Sequence, residues 1–304
     1  MSLVELALKK MHEATRGGTS AAAPAPAPAK RPVPVAAEAA PKPSSHRRID
    51  TPENEQPAGP VVQIDQNALR AAGLIPPEHQ RRSIADQFRH IKRPLVAAAI
   101  GRGAQKLDRG QLIMTASAMP GEGKTFTSIN LALSMANEKD VSILLVDADV
   151  AKPHISRTLG VGDRPGLIDV LRDESLNVES LILPTSVPNL SVLPAGQHTE
   201  TAAELLASHR MEQTMSYLAE SNGGRLVLID SPPLLLTNES RALAHWVGQV
   251  VLVVRAELTP HQAVLDAIEH LGVDKSVNLV LNQSKVAETP YYYGYGDQAK
   301  TETG

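Results

Sequence analysis

The stretch "QLIMTASAMPGEGKT", residues 111–125, constrains the fold more than any other part of the chain. An apolar run of strand length enters it, and "TFTSINLALSM", with the apolar period of a helix, leaves it. Between them, Gly121 and Gly123 let the backbone curl so that successive N–H groups point inward at phosphate oxygens. The helix that follows adds its positive end. Lys124 is placed to reach β- and γ-phosphates, and the Thr125 hydroxyl to ligate Mg²⁺. The segment fits the phosphate-loop pattern with Ala118 in the first position, where glycine is commoner. Pro120, Gly121, Glu122, Gly123, Lys124, Thr125 and Phe126 are therefore candidate nucleotide contacts.

The segments downstream repeat one rhythm. "VSILLVDAD", "LSVLPAG", "RLVLIDSPP", "QVVLVVRAE" and "VNLVLNQ" read as strands, and "MEQTMSYLAES" and "PHQAVLDAIEHLG" as helices. Upstream, "NALRAAGL" and "SIADQFRHIKRPLVAAAI" also look helical. Continuously apolar strands alternating with helices indicate an α/β phosphate-loop NTPase, with a mainly parallel sheet covered by helices on both faces. Ligands in such sheets bind at the carboxyl ends of the strands. Asn282, ending the last strand, is a candidate contact for the base, and equally a plain turn residue.

Two buried strands finish in acids: Asp147 and Asp149 on one, Asp230 on the other. Strand alternation would put Asp147 and Asp149 on one side of their strand, where like charges repel unless a cation joins them. The bland alternative is that these acids cap turns. Three of them beside a phosphate loop favour a metal-bound triphosphate.

The rest of the chain is organised around this core. "SLVELALKKMHEA" can be written as a short amphipathic helix, so residues 1–20 are read as a docking helix or a frayed terminus. Residues 21–62 form an Ala/Pro-rich linker, expected to be disordered; ten of the 23 prolines fall there. A nucleotide-binding domain over 63–288 and a flexible tail over 289–304 follow. A net charge of −3 gives no basis for bulk attraction to nucleic acid, and the absence of cysteine excludes disulfides and thiolate metal sites. No stretch reaches the length of a membrane span, so the chain reads as cytoplasmic, recruited to the inner membrane only through a partner.

"PGEGKT", "ILLVDADVAKP" and "LVLIDSPP" resemble the Walker A, Walker A′ and Walker B motifs of bacterial tyrosine autokinases. "RPGLIDVL" and "AELLAS" extend the likeness over roughly residues 80–295. "QFRHIKRPLV" and the separate proline-rich tether are most similar to the autokinases of exosortase and exopolysaccharide loci. The resemblance implies ATP and Mg²⁺ as cofactors and autophosphorylation on tyrosine, in control of exopolysaccharide synthesis, chain length or export. By it, Lys124 and Thr125 hold phosphates and Mg²⁺, Asp149 and Asp230 organise the metal, and Asp147 orients or deprotonates the acceptor hydroxyl. One departure stands out: the family often has arginines after its second acid, where this chain has Val150-Ala151-Lys152. The family's ring contacts use a helical E-x-x-R-x-x-R pattern, and the corresponding residues look like Asp86, Arg89 and Lys92, whose spacing puts them on one helical face. A solvated charged face is the alternative. The implied partners are an inner-membrane polysaccharide co-polymerase as activator, further copies of the chain in a ring, and a tyrosine phosphatase.

Four of the five tyrosines lie in "TPYYYGYGDQ": Tyr291, Tyr292, Tyr293 and Tyr295. They have no core periodicity and only Lys300 follows them, which suits phosphoacceptors better than a stacking platform for nucleic acid. The competing reading is a partitioning or division-site ATPase of the same superfamily, which transfers phosphate to water. Those proteins carry an extra lysine as the second loop residue, where this chain has Met119. A nucleotide-gated scaffold without catalysis is the third possibility.

Overall fold

All six apolar runs read as strands form strands. A computed structural model of the chain describes residues 60–101, 106–220 and 224–284. The chain divides after Val61, and the structure below belongs to the unit that starts at Val62. Val62 is buried and bridges Thr185.

The strands are β1 (Leu112–Ser117), β2 (Ser142–Asp147), β3 (Leu183–Pro184), β4 (Leu190–Leu193), β5 (Arg225–Asp230), β6 (Gln249–Arg255) and β7 (Ser276–Asn282). They form one sheet in the order β3-β4-β2-β5-β1-β6-β7. Every pairing is parallel except β3 with β4. The two-residue β3 is an antiparallel edge on an otherwise parallel sheet, an ordinary variant of doubly wound folds.

The helices are α1 (Gln66–Ala71), α2 (Arg81–Ile100), α3 (Lys124–Met135), α4 (His154–Thr158), α5 (Leu167–Arg172), α6 (Ala202–Leu206), α7 (His209–Glu220), α8 (Asn238–Trp246) and α9 (His261–Leu271). On one sheet face, Ile113, Ile143, Leu145, Leu228 and Val251 pack with Phe88 and Leu95 of α2 and Leu131 and Met135 of α3. The residues that alternate with them, such as Met114, Leu144, Val227 and Val250, are buried on the opposite face. There α7 approaches β5 and α8 approaches β1. Burial on both sides is why the strands read as unbroken apolar runs.

Strand order places the site. β5 enters the sheet between β1 and β2, so its last residue stands beside the end of each neighbour: Asp230 is in register with Thr115 on one side and Asp147 on the other. One expectation needs correcting. β2 ends at Asp147, so Asp149 lies in the following turn and not on the same strand face. The Ala148 N–H makes the last ladder bond, to the Asp230 carbonyl, and beyond it the Lys152 N–H closes a turn on the Asp149 carbonyl.

Candidate active site

The phosphate loop runs from Ser117, the last residue of β1, to Lys124, the first residue of α3. Gly121 and Gly123 both take the left-handed backbone, at φ 79° and 97°. The Ser117 hydroxyl donates to the Met119 carbonyl at 2.7 Å. Glu122, nearly fully buried, accepts from the Met119 N–H at 2.7 Å through one oxygen and from the Thr259 hydroxyl through the other. Thr259 in turn accepts from the Arg255 N–H at 3.1 Å, so the loop is fastened to the end of β6 and the approach to α9. On the other flank, the Asn282 amide donates to the Glu122 carbonyl at 2.8 Å.

Lys124 is buried among Asp230, Asp149 and Glu122. Burial lowers its pKa from the ordinary lysine value, and the attraction of those three acids offsets only part of that. Asp230 has both oxygens engaged by α3: the Thr125 hydroxyl donates to one and the Ser128 hydroxyl to the other, each at 2.8 Å. Thr125 and Ser128 are three residues apart, so one helix face presents both. Asp147 has one oxygen held twice, by the N–H of Ser156 at 2.8 Å and by its hydroxyl at 2.7 Å. Its other oxygen, Oδ1, is buried without a protein partner among the described residues. Asp149 accepts from the Lys152 N–H at 3.1 Å.

Electrostatics in this cluster are unbalanced. Asp230, Asp149 and Glu122 act on the one buried ammonium of Lys124, and Asp147 lies beside Asp230. Burial first, then the Asp230 charge, raises the Asp147 pKa to about 7. Burial raises that of Asp230 to about 6 against the hydrogen bonds from Thr125 and Ser128. Burial also raises Asp149, against the pull of the Lys152 N–H and Lys124. A cation would relieve the same imbalance, and the bare Oδ1 of Asp147 is the kind of buried acceptor a cation-bound water or a hydroxyl can satisfy. Among the described residues, no cluster of three or more His, Cys, Asp or Glu side chains could hold a metal unaided. That fits Mg²⁺, which keeps much of its water and takes phosphate oxygens alongside one or two protein ligands. The residues present therefore suit a magnesium nucleoside triphosphate.

The structure brings Lys124, Thr125, Asp147, Asp149 and Asp230 together, and it gives three other expected site residues further contacts. The half-buried Phe126 side chain packs on Phe88 of α2 with ring centroids 6.3 Å apart. Asn282 uses its amide to brace the phosphate loop. Lys92 lies along the same groove as Asp86 and Arg89, but its ammonium is turned inward. Those two are exposed and paired with each other, whereas Lys92 is buried, donating to the Ser134 carbonyl at 2.7 Å and pairing with Glu138 at 2.7 Å. The cause is helix packing: α2 lies on α3, and the flexible lysine stem carries the charge to the end of α3. Tyr291, Tyr292, Tyr293 and Tyr295, with residues 1–59, lie outside the described residues. No helix among the described residues is long and apolar enough to cross a membrane.

Sequence reasoning missed Ser128, Ser156 and Thr259. Ser128 carried a usable signal, one helical turn beyond Thr125. Ser156 and Thr259 carried none, since their partners are distant or depend on how the chain turns after β2.

Residues 110–275 match a family model described as an AAA domain. EpsB of Ralstonia nicotianae is 32% identical over 191 residues, 62% of this chain but 24% of that protein. The tyrosine-protein kinase YwqD of Bacillus subtilis is 29% identical over 214 residues, covering 70% of this chain and 86% of YwqD. The chain thus spans about a quarter of the long relative and most of the short one. Among solved structures, the VpsO kinase domain superposes with a TM-score of 0.55 at 26% identity, covering 68% of this chain and 98% of that domain. With its phosphate loop, its acids at the ends of β2 and β5, and a family match over more than half its length, the chain belongs to the AAA-domain family, and it is similar to bacterial tyrosine kinases.

Proposed function

We propose that the chain is an ATP- and Mg²⁺-dependent protein tyrosine autokinase that phosphorylates its own cluster of Tyr291, Tyr292, Tyr293 and Tyr295. The observation that carries this is the pairing of Asp147 with Asp230 next to Lys124, with one Asp147 oxygen unpartnered. Bound ATP and Mg²⁺ supply the phosphoryl group and the charge that neutralises its oxygens. The loop N–H groups and Lys124 would hold phosphates, and the Thr125 hydroxyl, which donates to Asp230, would be available as a metal ligand. Asp230, with both oxygens already engaged, acts through Thr125. Asp149 lines the same cation position. Asp147 accepts a hydrogen bond, and then the proton, from the tyrosine hydroxyl; its raised pKa suits a base working near neutrality.

In this reading the physiological role is control of exopolysaccharide synthesis, chain length or export. An inner-membrane polysaccharide co-polymerase is the activator, a tyrosine phosphatase resets the tail, and copies of the chain form a ring. Asp86 and Arg89 are the exposed residues available for that ring, with Lys92 contributing indirectly through α2 packing on α3. The ATPase alternative draws no support from Met119, which stands exposed where those proteins carry a lysine.

The deciding experiment incubates purified protein with ATP and Mg²⁺, with and without an activator fragment, and maps phosphate on the tail by mass spectrometry. Phosphotyrosine that disappears in Lys124→Met supports the kinase. Phosphate release without phosphotyrosine supports the ATPase.

A further inference from the structure

Ser156 is joined to the active site in a way that nothing in its sequence neighbourhood announces. It sits in α4, a five-residue helix whose N-cap is Pro153, and no side chain caps that position. Asp147 closes the first turn from outside the helix, by accepting the Ser156 N–H. The Ser156 hydroxyl donates to that same oxygen and also accepts from the Ala195 N–H at 3.1 Å. Ser156 is 1% exposed. Its hydroxyl therefore has a fixed direction, with its one proton committed to Asp147.

The far side of this link is just as constrained. Ala195 follows β4, and its carbonyl accepts from the Ile168 N–H at 3.0 Å, while the Pro194 carbonyl accepts from the Leu167 N–H at 2.9 Å. Asp169 of α5 accepts from the Gly166 and Gln197 N–H groups at 2.9 and 3.2 Å. A Cβ on Gly166 would stand 2.0 Å from the Pro194 carbonyl oxygen, so the two segments touch backbone to backbone. Ser156 thus clamps Asp147 to a rigid corner made of α4, the end of β4 and the start of α5.

We infer that Ser156 is a positioning residue for phosphoryl transfer: it immobilises one Asp147 oxygen so that the other, Oδ1, faces the acceptor hydroxyl. This deepens the kinase reading above and rests on it. A carboxylate held by one oxygen at two donors cannot rotate, and a base that cannot rotate keeps its free oxygen on the proton it must accept. Deleting the hydroxyl leaves the backbone donor and frees the carboxylate to turn about it.

The test is a double-mutant cycle on full-length protein. Ser156→Ala, Asp147→Asn and the double variant are compared by turnover at saturating ATP and by affinity for a fluorescent ATP analogue. The expected result for Ser156→Ala is turnover lower by about 10- to 100-fold, the usual effect of removing a supporting hydrogen bond. Nucleotide affinity should stay within about threefold, so the loss falls on kcat and not on binding. In the Asp147→Asn background the same substitution should change turnover little, because the group it positions is already disabled. Should the alanine chain fail to fold, Ser156→Cys, similar in volume with a weaker donor, takes its place in the cycle. Unchanged turnover in Ser156→Ala, or an equal fractional loss in both backgrounds, overturns the role. If the unmodified chain releases phosphate but makes no phosphotyrosine, the kinase reading fails and the cycle is scored on phosphate release, where Asp147 would orient water. An unmodified chain with no turnover of either kind overturns both.

Discussion

Asp147 and Asp230 are register partners at the carboxyl ends of the adjacent parallel strands β2 and β5. Burial and the Asp230 charge raise the Asp147 pKa, while burial and the Asp149 charge raise that of Asp230, and their hydrogen-bond partners differ. Asp230 spends both oxygens on α3 hydroxyls, and Asp147 keeps one free. Under the proposed kinase reading, that asymmetry would separate the residue that holds the Thr125 hydroxyl from the one that accepts the proton.

Asp147→Asn should lower tail phosphorylation by about 100-fold, in the range for loss of a general base. The asparagine keeps the shape, and its carbonyl oxygen can still accept from Ser156, so nucleotide affinity should be largely spared. Single-turnover phosphorylation measured beside nucleotide titration checks this; equal loss of both would remove Asp147 from its assigned role.

Proton release should accompany binding of the magnesium nucleotide. Asp147 and Asp230 have raised pKa values, so near pH 6 the nucleotide-free chain holds protons there that the cation displaces. Affinity should climb as pH rises through about 6 to 7 and level off above. Calorimetry at pH 6 in buffers of different ionisation enthalpy reads the proton count directly.

The same raised values set a stability trend of definite sign. Both groups bind protons more tightly folded than unfolded. Their contribution is complete below the ordinary carboxylate pKa and is lost as pH rises through about 6 to 7. The Tm of nucleotide-free protein should therefore fall across that window more than the Tm of Asp147→Asn does.

Gly123 and Gly121 should differ in tolerance although both are left-handed. A Cβ on Gly123 would lie 2.0 Å from the Asn282 amide nitrogen, whereas a Cβ on Gly121 meets nothing within 4 Å. Gly121→Ala should cost about 1–2 kcal/mol of backbone strain. Gly123→Ala adds a steric clash at the Asn282 brace and should cost nucleotide affinity more heavily. Pairing Gly123→Ala with Asn282→Ala should recover part of the loss, which titration of all four proteins would reveal.

Lys92→Met should act on folding and not primarily on assembly. It removes a buried hydrogen bond to Ser134 and the pair with Glu138, and should lower stability by about 1–3 kcal/mol. Asp86→Lys should leave Tm nearly unchanged, since that pair is exposed. Sedimentation combined with thermal melts separates the two effects.

Much of the site was legible because its ingredients are local. Glycines at 121 and 123, the lysine after them and an acid at the end of an apolar run each signal through their immediate neighbours. What was not legible depended on rotation or termination. The loop motif places Phe126 beside a nucleotide, and the sequence gives no sign that its ring also packs on Phe88. Alternation along β2 does not carry past Asp147, because the chain turns at Asp149, where the Lys152 N–H closes on its carbonyl. Lys92 kept the spacing of a surface stripe while its long stem reached a buried acceptor.

The linear sequence determined the kind of fold, the position of the phosphate loop and the strand ends at which acids would gather. It could do so because backbone curvature, apolar periodicity and helix initiation are properties of a few adjacent residues. Only the tertiary structure decided that β5 lies between β1 and β2, bringing Asp230 beside Asp147, and that Ser156 holds Asp147 while Glu122 reaches Thr259. Those contacts join residues far apart along the chain or across an irregular turn. They are selected by which helices can cover both faces of the sheet and by the need to pair most buried polar groups, conditions met only once the whole core is assembled.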